Sequence, residues 1–480
     1  MTIRRRVVLR VTALLCAIGA VAIVVVGLRD DRPALASATN RTETHTATPL
    51  WSPRRTPALF IDEAAKTHLG RQIAQLVAPY RACAIVETSA AGRIASAGSD
   101  AGVAPASNQK LLTAAAALRL LGSSRRLVTN AAATAPVVNG TLQGDLFLVG
   151  GGDPLLATPG YEQLRLRAPR FRNAPVTRLA DLAHAIAAAG VHRISGAIVA
   201  DDSRYDALRY LPDWKPSYIK DGEIGPLGAL TVDGGFVDPR RPIAAPDPAV
   251  LAAQRLQDLL ALEGVMVDGA TRHGTAPPHA RTVARVLSPP IGSLVDEMLT
   301  SSDNYTAELL TREIGFTAAH SGTTAAGLDA TVRTVRALGV PTNGFSLHDG
   351  SGLAPSDRVT CSALAHVLAL MRTKPFDVID RGLPIAGQTG TLAARFVGDP
   401  LSGVLRAKTG EIDGVVGLSG VVDDSQHVRF AFLANGPFSA AGGRVLQADM
   451  AVIVGSYPDL AAVGDVVPAP AAAVHGLATG

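Results

Sequence analysis

Three short polar clusters in this chain have residue types and spacings that could do chemistry: Ser107-Asn108-Gln109-Lys110, Ser302-Asp303-Asn304 and Lys408-Thr409-Gly410. A serine hydroxyl is a weak nucleophile until a neighbouring base takes its proton. Ser107 and Lys110 stand at the head of an Ala/Leu/Thr-rich run, Leu111 to Leu121, with no breaker before Gly122. That run predicts a helix, and a spacing of three puts both side chains on one face of it. The unpaired N–H groups of the helix start lie beside the serine. Lys110 can serve as a base only when neutral, which requires desolvation or a second cation to depress its pKa. Taken singly, the first cluster also fits a serine N-cap followed by a solvated lysine, and the second a plain N-cap group. Only their joint context separates chemistry from capping.

The elements that must position these clusters can be traced along the chain. Ile61 to Ala78 has helical spacing, and Ala82 to Ala95 reads as a strand hairpin turning at Ala90-Ala91-Gly92. From Gly122 to about Pro290 short strands and turns alternate with helical stretches at Leu179 to Ala189 and Val250 to Leu262. Asn139-Gly140 is a strong hairpin signal there. The Gly150-Gly151-Gly152-Asp153-Pro154 turn lacks the lysine and spacing of a phosphate loop. This block offers no nucleophile–base pair and is read as an insertion that shapes or covers the site. Ser302-Asp303-Asn304 falls in a short connection between helices at Ile291 to Leu299 and Ala307 to Ile314. Further helices are expected at Leu328 to Leu338 and Ser362 to Met371. Val404 to Gly410, Val415 to Val422 and Val428 to Leu433 read as antiparallel strands. Gly410, inside the first of them, marks a place where a ligand can approach backbone.

At 480 residues the chain is too long for one simple core. Its 47% hydrophobic and 18% charged residues suit a globular protein, and aromatics at 4% leave the core to Ala, Val and Leu. The net charge of +4 is spread out, with no basic run interleaved with aromatics, so no nucleic-acid partner is expected. Arg4, Arg5, Arg6 and Arg10 precede an uncharged, mainly apolar run from Val11 to Leu28. This is read as an export signal, retained as a membrane anchor, that places the rest outside the cytoplasm. Ala34-Leu35-Ala36 offers a competing cleavage site. Cys83 and Cys361 could pair in an oxidising compartment or stay as buried thiols, and the sequence leaves both open. The scattered histidines form no metal-ligand pattern, so neither a metal nor another cofactor is expected.

In order and in context, the three clusters resemble the trio of β-lactamases and penicillin-binding proteins. From about Leu59 to Tyr457 the chain is more similar to the D-alanyl-D-alanine carboxypeptidase/endopeptidase family, the low-molecular-mass class C penicillin-binding proteins. Pro105 to Leu111, Gly144-Asp145-Leu146, Asp201 to Asp206, Val232-Asp233-Gly234-Gly235, Asp349-Gly350-Ser351-Gly352-Leu353 and Leu383-Pro384-Ile385-Ala386-Gly387 carry that resemblance. It implies an α/β (α+β) transpeptidase/β-lactamase-like fold, an antiparallel sheet flanked by helices, with a large mainly-β insertion between the first and second motifs. The expected division is 1–36 signal or anchor, 37–58 linker, 59–124 first part of the transpeptidase-like domain, 125–287 insertion, 288–457 second part, and 458–480 loose tail.

The resemblance further implies an acyl-enzyme on Ser107, formed from peptidoglycan stem peptides or β-lactams. Lys110 would be the base, its pKa lowered by burial and by Lys408. Ser302 would relay the proton to the leaving amine, and Asn304 would bind a substrate amide. Lys408, Thr409 and Gly410 would form the wall that holds the terminal carboxylate. The N–H groups of Ser107 and Glu411 would make the oxyanion hole. Two positions depart from the family pattern. Glu411 stands where Thr or Ser usually follows Lys-Thr-Gly, which is expected to slow acylation, and Thr389 stands where Asp is common. A β-lactamase is normally shorter, and no Glu-x-x-x-Asn segment for a deacylating water is evident. A wall-binding scaffold with a weakened site is the other alternative, and the intact motif side chains argue against it.

Overall fold

The computed structural model describes residues 57–458 except 169–170, 172–173, 239 and 425. The expected signal or anchor, the linker up to 56 and the tail from 459 lie outside the described residues. Among the described residues no helix is long and apolar enough to cross a membrane.

A helix that is apolar all round belongs inside a protein, and that is where α2, Lys110–Leu120, sits. Every residue from Lys110 to Leu118 is buried, in a core shared with α3, Ile291–Ser301, and α4, Asn304–Ala319. Against this helical layer lies a five-stranded sheet built from both ends of the described chain. Its strands are β1 Arg81–Thr88, β2 Gly92–Ala97, β3 Leu405–Ile412, β4 Val415–Val422 and β5 Val428–Asn435, in the order β3-β4-β5-β1-β2. All neighbours are antiparallel. A second core under the other face of the sheet is covered by α1, Pro57–Val77, and a helix at Ala440–Gly455. Side chains on β3–β5 therefore alternate between two buried layers, and their β-branched and aromatic content suits that.

The disulfide between Cys83 on β1 and Cys361, the first residue of α5 (Cys361–Leu370), fastens the sheet to the helical layer. It resolves the choice the sequence left open, and it fits an oxidising compartment.

Between the first two clusters the chain builds a separate mixed sheet, in which strands at 128–133, 146–149, 198–201, 272–273 and 281–287 pair both parallel and antiparallel. Helices Leu179–Ala188 and Pro248–Leu262 pack on it around a core of its own. The Asn139-Gly140 turn has both residues at positive φ, 50° and 79°, as a tight hairpin requires.

Candidate active site

Ser107 lies in a one-turn 3-10 segment, Ala106–Gln109, that runs straight into α2. Ala106 has φ 47°, a conformation that costs a non-glycine residue energy and is held by its surroundings. The spacing of three does what helical geometry requires: Lys110 Nζ donates to Ser107 Oγ at 2.9 Å. The same ammonium reaches Asn304 Oδ1 at 2.7 Å and the carbonyl of Ser351 at 2.8 Å. Its three hydrogens are thus matched by three acceptors although the side chain is fully buried.

The second cluster is placed by two helix ends. Helix α3 stops at Ser302, which takes a left-handed conformation with φ 62°. Asp303 then caps α4, its carboxylate accepting from Tyr305 N at 2.9 Å. The abrupt turn sends Ser302 and Asn304 toward the sheet. Lys408 on β3, fully buried, donates to Ser302 Oγ at 2.8 Å and to the carbonyl of Thr409 at 2.8 Å. Ser107, Lys110, Ser302, Asn304, Lys408, Thr409, Gly410 and Glu411 therefore converge. Of these, Ser107, Ser302, Asn304, Thr409 and Glu411 line one cleft of about 830 Å³. Gly410 sits against the nucleophile segment: a Cβ there would lie 2.6 Å from Asn108 Nδ2 and 2.9 Å from the carbonyl of Pro105.

Burial pulls the Lys110 pKa down to about 8, against the charges of Asp349, Glu308, Asp303 and Glu223, which raise it. Burial, and then the neighbouring charge on Lys110, hold Lys408 well below the usual lysine range. Two buried ammonium groups without a direct carboxylate partner cannot both stay charged. Proton transfer from Ser107 to Lys110 is accordingly within reach near neutral pH.

Sequence reasoning passed over several groups that hold this arrangement. Asp349 accepts from the N–H groups of Ser351, Gly352 and Ala354 and from Trp214 Nε1 at 2.8 Å. Glu308 accepts from Gly350 N at 3.0 Å and Ser351 N at 2.8 Å, and burial raises its pKa to about 8. The insertion supplies Glu223, whose carbonyl accepts from Asn304 Nδ2 at 2.9 Å, and Lys215, which pairs with Asp413 at 2.9 Å. The turn that Asp349 closes over Ser351, Gly352 and Ala354 is local, but no local pattern could announce the contacts of Trp214, Glu308, Glu223 and Lys215, because each joins segments far apart in sequence. Thr389, exposed, accepts from Ile385 N at 2.9 Å, while Thr391 Oγ1 meets Thr409 Oγ1 at 2.8 Å. Glu411 does not pair with Lys408; its carboxylate meets Arg444 at 3.0 Å.

Residues 68–241 and 240–457 match the D-Ala-D-Ala carboxypeptidase 3 (S13) family. The chain belongs to that family. Carboxypeptidase Rv3627c of Mycobacterium tuberculosis is 33% identical to it over 353 residues, which is 70% of this chain and 72% of that protein. A D-alanyl-D-alanine carboxypeptidase of Actinomadura is 29% identical over 453 residues, 78% of this chain and 80% of its own length. Among solved structures, penicillin binding protein 4 of Haemophilus influenzae superposes with a TM-score of 0.68 at 21% identity, covering 80% of this chain and 98% of that one. The S13 chain thus has the penicillin-binding fold expected from its motifs, but the segment between the first two clusters is mixed, with helices such as Leu179–Ala188 and Pro248–Leu262 beside its short strands, rather than mainly β.

Proposed function

We propose that Ser107 is the nucleophile of a serine D-Ala-D-Ala carboxypeptidase. The observation that carries this is the position of Lys110 Nζ, buried and 2.9 Å from Ser107 Oγ, with a pKa near 8. Neutral Lys110 takes the hydroxyl proton as Oγ attacks the carbonyl of the penultimate D-alanine. The N–H groups of Ser107 and of Glu411, on the edge strand β3, receive the oxyanion. Collapse of the intermediate breaks the peptide bond, and the proton passes through Lys110 and Ser302 to the leaving amine. Water then attacks the acyl-enzyme by the same route and frees Ser107. Asn304, fixed by Lys110 and by the Glu223 carbonyl, holds a substrate amide. Lys408 acts from behind the wall: its Nζ orients Ser302 through their 2.8 Å hydrogen bond, while the pKa of Lys110 is lowered by burial rather than by Lys408.

Peptidoglycan stem peptides are the substrates, and β-lactams acylate the same serine. The complex of Haemophilus influenzae penicillin binding protein 4 with a β-lactam supports the second point. The N-terminal segment attaches the enzyme to the outer face of the membrane. Incubation with benzylpenicillin followed by intact-mass analysis should show one added ligand, and Ser107→Ala should show none. An adduct that survives in Ser107→Ala refutes the assignment.

A further inference from the structure

A carboxypeptidase must recognise a free terminal carboxylate, yet the buried ammonium of Lys408 is already engaged with Ser302 and Thr409. The residue after Lys408-Thr409-Gly410 is an acid. A different cation faces the cleft. Arg395, half-buried, lines it together with Thr391 and Thr409. Its guanidinium donates, among the described residues, to neutral acceptors, Nη1 to Gln447 Oε1 at 2.5 Å and Nη2 to the carbonyl of Arg444 at 3.2 Å, and lies 5.4 Å from the centroid of the Phe396 ring, with the charge of Glu411 close enough to act on it. Among the described residues it forms no ion pair, because Glu411 gives both oxygens to Arg444, at 3.0 and 3.4 Å.

The support for Arg395 is rigid. Gln447 is buried, and its Nε2 donates to the carbonyls of Gly410 and Gly417, each at 2.9 Å. One amide thus ties Arg395 to the edge strand that carries Thr409. Of the carboxylates that line the cleft, Glu411 is held by Arg444 and Asp413 by Lys215, while Asp221 and Glu223 stand on the side of the insertion, so Arg395 keeps its charge beside Thr391 and Thr409. A planar guanidinium beside two hydroxyls is suited to a carboxylate, which accepts two parallel N–H bonds. Pre-positioned donors bind it without the cost of ordering them.

We propose that Arg395 is the specificity-determining residue that receives the terminal carboxylate of the substrate, with Thr391 and Thr409 beside it. Glu411, which cannot donate a hydrogen bond when ionised, holds Arg444 instead. The inference rests on the carboxypeptidase reading of the cleft and deepens it.

The test compares second-order acylation by benzylpenicillin and by its methyl ester, which lacks the anionic oxygen. The wild type should prefer the acid by roughly 30-fold, about 2 kcal/mol. Arg395→Gln should lose most of that preference by slowing with the acid while the ester rate stays within about threefold. Arg395→Lys, which keeps the charge without the planar fork, should fall between. An unchanged acid-to-ester ratio in Arg395→Gln, or equal losses on both compounds, overturns the proposal. If Arg395→Gln fails to fold by circular dichroism, a wild-type ratio near one, or a ratio in Arg395→Lys equal to that of the wild type, overturns it. A wild type that acylates with neither compound overturns the carboxypeptidase reading itself, so the two failures are distinguishable.

Discussion

With Lys110 as the proposed base, the protonation of its side chain sets the pH behaviour of the reaction. A lysine in water loses its proton near 10.4, whereas burial brings this one to about 8. Only the neutral form can accept the Ser107 proton. Acylation by penicillin should therefore rise about tenfold per pH unit well below the pKa, bend at about 8, and flatten above it. A second-order rate measured from pH 6 to 9.5 checks this, and a rate that falls across that range contradicts the base role. Lys110→Arg should abolish acylation, since guanidinium stays protonated at every accessible pH. Its adduct yield by intact mass should match that of Ser107→Ala.

Among the elements, β3 and the nucleophile segment approach each other more closely than two side-chain-bearing surfaces could. Gly410 makes this possible, because an added Cβ would meet Asn108 Nδ2 and the Pro105 carbonyl inside normal contact distance. Either β3 or the 3-10 turn would have to give way. Gly410→Ala should destabilise the protein by about 1–3 kcal/mol through overpacking. It should also slow acylation by at least tenfold, since a displacement near 1 Å is enough to spoil a reacting geometry. Thermal melting and penicillin acylation on the same preparation check both parts. A variant with wild-type rate and melting temperature contradicts the close packing.

In the molecule as a whole, the disulfide joins the strand that follows the first helix to a helix 278 residues later. Cross-linking so large a loop removes freedom from the unfolded chain, an effect of about 2–5 kcal/mol. The Cys83→Ala, Cys361→Ala double variant should melt lower than the oxidised wild type and unfold at lower denaturant. Reduced wild type should move the same way, and unchanged melting in both cases would show that the bridge does not hold the two layers together. The insertion adds contacts of its own. Trp214 and Glu223 reach Asp349 and Asn304, so the segment that lacks a nucleophile still braces the groups around Lys110.

The sequence by itself determined what is local or periodic. Helix spacing put Ser107 and Lys110 together, apolar content on all sides of Leu111 to Leu118 buried that helix, and strand alternation with a hairpin signal marked β3 to β5 and the Asn139-Gly140 turn. Three motifs in fixed order then identified the family. Tertiary structure alone decided the rest, because it depended on contacts between distant segments and on conformations that no residue type encodes. Ala106 and Ser302 adopt left-handed backbone that their side chains do not favour. The Cys83–Cys361 pairing needed the sheet laid against the helices. The letter of Glu411 gives its charge, but only the fold brings Arg444 to it, with Arg395 and Gln447 lining the same cleft. A side chain's charge can be read from its letter, but the partner that neutralises or leaves that charge is chosen by packing.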